Sequence, residues 1–152
     1  MNAQKLTMIA AVLIFGLFTE SALAQSDCQQ VKAQKDAVFD GVKTTGTIIN
    51  GGKLNGTTLE VFGSDTLPTR DPTTVTFTGD LTITTNHGEL KASNVYLFNF
   101  AGVGAVLGRI NPTTSTGRFA GATGVLYFAT KVISFSPFTV QEEITGEICY
   151  AQ

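Results

Sequence analysis

Few residues in this 152-residue chain are equipped for chemistry, and their spacing narrows the choice further. His87 is the sole histidine. A Ser-His-Asp or Cys-His mechanism needs an imidazole set between an acid and a nucleophile. His87 instead lies in Asn86-His87-Gly88, the composition of a tight hairpin, and reads as a turn residue. One histidine and two cysteines supply too few ligands for a metal centre. Asp65 and Asp71 share one segment but fall short of the clustered oxygens that calcium requires. No metal site and no cofactor are read from these residues. Adjacent carboxylates occur at Glu142-Glu143, and paired carboxylates can do acid–base work. On a strand, however, neighbours point to opposite faces. The pair reads as a solvated strand end. A glutamate turned inward would need a partner, and Arg109 and Arg118 are the candidates. Glu147 shares a face with Glu143 and Thr145 and is expected outside. Asn55-Gly56-Thr57 has the pattern of a glycosylation acceptor, which matters only in a eukaryotic secretory route. No catalytic residue is assigned.

Cys28 and Cys149 are the only cysteines. An even count in an exported protein favours a bridge. A bond between them closes a loop of 122 residues, 28 to 149 inclusive. Two free thiols or an intermolecular link are the alternatives. Export is expected from the N-terminus. Lys5 precedes the apolar run Leu6 to Phe18, and Ala22-Leu23-Ala24 is a cleavage box ahead of Gln25. Thirteen apolar residues are too few to span a bilayer as a helix. Residues 1–24 are therefore expected to be a signal peptide and 25–152 a single domain in the secreted or periplasmic space. No cysteine follows the box directly, so no lipid anchor is expected, and no later stretch reads as a transmembrane helix. The net charge is −2, and no Lys/Arg cluster exists to meet phosphate, which argues against nucleic acid.

The elements that must position these residues read as strands. Thr is common, with Gly close behind; β-branched Thr suits a pleated surface, and Gly divides the strands into short pieces. Only Gln29 to Asp40 suggests a helix, with Val31, Gln34, Lys35 and Val38 on one side. Thr44 to Asn50 and Thr57 to Phe62 read as strands, the second with Leu59 and Val61 on one face, and Gly63 to Pro72 as a loop. The clearest alternation follows. Val75, Phe77, Leu81 and Ile83 are apolar at odd positions, with Thr at most even ones, which means one buried face and one wet face. Gly79 falls on the buried face, where a barrel strand would bend. Glu89 to Phe100, Ala101 to Ile110, Gly124 to Ile133 and Val140 to Tyr150 complete about eight strands. Between them, Ser115 to Gly124 carries Gly117, Gly121 and Gly124 and reads as a tight corner feeding the apolar run Val125-Leu126-Tyr127-Phe128. The expected fold is all-β, a single antiparallel barrel of about eight strands with a short N-terminal helix; a β-sandwich is the alternative.

Several pieces resemble a group of small exported bacterial proteins, mostly uncharacterised: Thr45-Gly46-Thr47, Asn55-Gly56-Thr57, Val75 to Gly79, Leu81 to Thr85, Thr116 to Gly124 and Gly146-Glu147-Ile148-Cys149. The Gly-Arg-Phe-Ala-Gly-Ala-Thr-Gly run at 117–124 is similar to motifs in barrels of the allene oxide cyclase type, to which dirigent proteins also belong. The resemblance implies an eight-stranded antiparallel barrel with an apolar lumen. It does not imply cyclase activity, and no cavity residue of that enzyme maps onto this chain.

Nine aromatic residues, Phe77, Tyr96, Phe98, Phe100, Phe119, Tyr127, Phe128, Phe135 and Phe138, fill a core or line a cavity. Small barrels can hold one small ligand. The sequence is thus read as an exported, non-catalytic barrel that holds a small apolar molecule or lipid, with Phe77, Leu81, Ile83, Tyr127 and Phe128 as lining candidates. The alternatives are a cyclase- or isomerase-type enzyme and a structural or surface-interaction protein with a solid core. A cavity separates the first two from the third. An enzyme would also need an inward-facing ionisable pair.

Overall fold

The computed structural model describes residues 27–151; the expected signal peptide and its cleavage site lie outside the described residues. Eight strands form one closed antiparallel barrel in sequence order: β1 (Asp27–Phe39), β2 (Lys43–Ile49), β3 (Gly56–Pro68), β4 (Thr74–Thr85), β5 (Gly88–Asn99), β6 (Val103–Ile110), β7 (Thr123–Phe135) and β8 (Phe138–Tyr150). Each strand pairs with its chain neighbour, and β1 pairs with β8 along its whole length, from Asp27 opposite Tyr150 to Phe39 opposite Phe138. Closure leaves no free sheet edge. No described helix is long and apolar enough to cross a membrane.

The expected helix at Gln29 to Asp40 is instead strand β1. Val31, Ala33, Lys35, Ala37 and Phe39 face inward at period two. Two alanines and a lysine make a weak apolar signal, so the alternation is hidden in composition. Pairing on both sides, with β2 and β8, overrides local preference. The expected loop from Gly63 also gives way, because β3 runs on to Pro68 after an irregularity in register between Phe62 and Thr66. In β3 the apolar residues are on the wrong side for a simple core. Leu59 and Val61 face out, while Thr58 and Glu60 are buried.

The alternation of β4 holds: Gly79, Leu81 and Ile83 are buried, and Thr78, Asp80 and Thr84 are exposed. Asn86 and His87 form the two-residue turn to β5, where His87 is exposed. The glycine-rich corner folds as a turn of 3-10 helix at Gly117–Phe119. It docks on the start of β5: Thr116 N donates to Glu89 O at 2.8 Å, and Arg118 N to His87 O at 2.8 Å. Gly117 has φ 59°, and a Cβ there would lie 2.3 Å from His87 O, so only glycine permits this approach. The corner carries fully buried Phe119 into one end of the barrel, where it joins Ile48, Leu54, Leu81, Ile83, Leu90, Leu126, Ile144 and Ile148. This end is filled. The Cys28–Cys149 disulfide bridges directly opposed residues of β1 and β8 beside it.

Candidate functional site

The opposite end of the barrel is hollow. A cavity of about 440 Å³ lies inside this end of the barrel, lined from Phe39, Phe135 and Phe138 near the strand ends to Glu60, Val106 and Glu142 further in. Its wall is aromatic. Phe39 packs edge-on against Phe62 and Phe138, with ring centroids 5.7 and 5.8 Å apart. Phe62 meets Phe77 at 5.5 Å, and Phe77 stacks on Tyr96 at 4.6 Å with planes 4° apart. Phe98 lies on the other side of Phe138, with ring centroids 6.5 Å apart. Such offset and edge-to-face contacts fix the rings as well as bury them. Gly79 makes room for this collar: a Cβ would lie 3.2 Å from the Tyr96 ring and 3.3 Å from that of Phe62. At the rim, Phe100 and Phe135 remain 58% and 66% exposed.

The floor of the cavity is charged. Lys35 on β1, fully buried, places Nζ 3.0 Å from Glu60 Oε2 on β3 and 2.7 Å from Glu142 Oε2 on β8. Both carboxylates are themselves buried. Asn94 Nδ2 donates to Glu60 Oε1 at 2.9 Å, and Tyr96 OH donates a short hydrogen bond to the same oxygen. Thr130 Oγ1 donates to Glu142 Oε1 at 2.7 Å. The Lys35 ammonium also lies 5.8 Å from the centre of the Phe128 ring. Gly108, opposite Asn94 on β6, leaves space for the amide; a Cβ there would fall 2.5 Å from Asn94 Oδ1. Among the described residues, Asn94 Oδ1 and Thr58 Oγ1 are buried without a hydrogen-bond partner, and Glu142 Oε2 meets only the charge of Lys35.

The electrostatics follow from this placement. Burial by itself would strip the proton from Lys35, but the attraction of Glu142 and then Glu60 outweighs it and holds the ammonium above the ordinary lysine value of 10.5. Burial, and then the charge of Glu60, push the Tyr96 hydroxyl far above its ordinary range, so it stays neutral and donates. Two carboxylates face one ammonium, so the floor carries one formal negative charge in excess.

The residues singled out from sequence separate into two groups. Phe77 lines the cavity, and Phe128 is buried beneath it, against Lys35. Leu81 and Ile83 belong to the aliphatic core and do not line the cavity. Tyr127 is 54% exposed on the outer wall, because successive residues of β7 face opposite ways and Phe128 takes the inner position. Glu142, expected in solvent, is buried, and its cation is Lys35; Arg109 and Arg118 are both exposed, Arg118 over the Tyr150 ring at 5.6 Å. Glu143 and Glu147 do lie outside. Sequence reasoning missed Lys35, Glu60, Asn94 and Thr130. The available signal was polar residues at alternate positions, Thr58-x-Glu60 and Lys35 between Ala33 and Ala37.

No family model matches the chain, and no curated protein matches it significantly. Among solved structures it is similar to that of the pterocarpan synthase dirigent protein GePTS1, at 16% identity over 99% of this chain and 100% of that one, with a TM-score of 0.35. The eight-stranded barrel itself stands on the strand pairing.

Proposed function

We propose that this is an exported ligand-binding barrel that holds one small, largely apolar molecule in the aromatic mouth. One observation carries the reading: a cavity of about 440 Å³ whose walls are phenylalanine and whose few polar groups converge at the floor. That is the general form of a small-molecule site. Export is supported by the Leu6 to Phe18 run, the Ala22-Leu23-Ala24 box and the Cys28–Cys149 bridge, which persists in an oxidising compartment. The place of action is then the periplasm or the medium. Native mass spectrometry of protein purified from its host, with titration of an environment-sensitive dye, tests the reading. Saturable dye binding that is lost in Val106→Phe, where the new ring enters the cavity, is the expected result. Absence of both a co-purifying molecule and saturable binding would reject it.

A second reading, an isomerase- or cyclase-type enzyme, is favoured by one specific feature. Glu60 and Glu142 are an inward-facing ionisable pair on the cavity wall, with the Tyr96 hydroxyl beside them. A carboxylate and a phenol within reach of one bound molecule can accept and return a proton. Incubation of the captured ligand with protein in deuterated water distinguishes the two: unchanged ligand without isotope uptake leaves only binding.

A further inference from the structure

The polar floor is unevenly stocked, and the imbalance bears on what kind of molecule fits. The donors that touch the two carboxylates are committed to them. Lys35 donates to Glu60 and is ion-paired with Glu142, and its ammonium also meets the Phe128 ring. Tyr96 and Thr130 each give their single O–H to a carboxylate. Its acceptors are not exhausted. A carboxylate has about four lone-pair sites. Glu142 accepts one hydrogen bond, from Thr130, and faces the Lys35 charge, whereas Glu60 accepts three, from Lys35, Asn94 and Tyr96. Position sharpens the contrast. Glu60 and Glu142 line the cavity, whereas Lys35 lies behind them, and no lysine, arginine or histidine is among the lining residues. A molecule entering the mouth therefore meets aromatic faces first and carboxylate oxygens last.

We propose that the site selects a ligand with an apolar, ring-sized body and a cationic, hydrogen-bond-donating head, a protonated primary amine, and that it turns away carboxylates. The proposal rests on the ligand-binding reading and adds its chemical class. An ammonium at the floor would cancel the excess negative charge, use the spare lone pairs of Glu142 and lie near the faces of Phe77 and Tyr96, which attract cations. A carboxylate there would confront two others, with no cationic side chain lining the cavity to meet it. An alcohol would donate one hydrogen bond but leave the charge uncancelled.

The test is a titration series on one skeleton: phenethylamine, phenethyl alcohol and phenylacetate, read by calorimetry and by displacement of the dye at neutral pH. The expected order is amine, alcohol, acid. Hydrogen bonds to charged groups contribute about 1.5–3 kcal/mol, so the amine should exceed the alcohol by roughly 10- to 100-fold. Glu142→Gln, which removes the excess charge while keeping the shape, should reduce the amine-to-alcohol ratio by about ten-fold. If that variant does not fold, the order on the unaltered protein decides. Phenylacetate binding as tightly as the amine would overturn the proposal and leave the ligand-binding reading intact. So would dye binding with no measurable affinity for the amine, or a Glu142→Gln protein with an unchanged ratio. Failure of dye and amine alike would overturn the ligand-binding reading itself.

Discussion

A buried ammonium keeps its proton only while carboxylates face it, and the dependence is mutual. Removing one partner of a buried ion cluster typically costs about 3–5 kcal/mol, because the remaining charge is stranded. Lys35→Met should therefore lower the free energy of unfolding by about that amount, measured by urea denaturation at neutral pH. The pH dependence has a definite sign. Lys35 and Tyr96 both hold their protons more tightly folded than unfolded. Their stabilising effect is complete below their ordinary values, 10.5 and 10.0, and is lost as pH rises beyond them, where the unfolded chain releases protons that the folded chain retains. The urea midpoint of the native protein should not fall on account of these groups between neutrality and about pH 10, and should fall above it. In Lys35→Met the alkaline fall should be smaller. A midpoint declining from pH 7 upward in the native protein but not in the variant would contradict the ionised triad.

Among the elements, β1 is the one whose placement closes the barrel, and its seam with β8 is reinforced at one end only. Cys28 and Cys149 are separated by 121 positions in sequence. Bridging a loop of that size limits the unfolded ensemble by about 4–5 kcal/mol. The double variant Cys28→Ser/Cys149→Ser should unfold at markedly lower urea concentration while retaining the barrel's far-ultraviolet dichroism. The corner before β7 gives a graded prediction. Gly124 has φ 143°, and a Cβ there would lie 2.0 Å from Glu147 O, so alanine would prise β7 from β8. Gly121 has φ 73° but is exposed, and its nearest obstacle is the Ala151 side chain at 2.9 Å. Gly121→Ala should cost about 1–2 kcal/mol, the ordinary penalty of the left-handed region, and Gly124→Ala clearly more. Equal effects would mean that the approach of β7 to β8 is not what requires glycine.

The whole molecule is polarised along the barrel axis. Disulfide, corner and aliphatic core gather at one end, and the aromatic mouth and buried charges at the other. A ligand bound only by the folded state at a concentration 100 times its Kd should raise the unfolding free energy by about 2.7 kcal/mol. For the amine described above this is a measurable rise in Tm. The same addition to Val106→Phe should leave Tm unchanged.

Much of this architecture was legible in the residues. Alternation in β4, the turn at Asn86-His87-Gly88, the glycine corner and the two terminal cysteines each depend on chain neighbours or on chain-end position, and each has a local physical signature. They determined an all-β barrel with its ends joined. The face that each remaining strand turns inward was not determined locally. In β1 and β3 both faces mix apolar and polar residues, so alternation alone gives two equivalent assignments. Closure decided between them. When β1 met β8 and β2 met β3, Lys35 was placed between Glu60 and Glu142, 25 and 107 residues away. A lysine or glutamate is tolerated inside only beside its counter-charge, and that neighbour exists only in the assembled barrel. The scaffold could be read strand by strand because its signals are short-range; the charged floor could not, because burial of charge is a property of partners brought together across the fold.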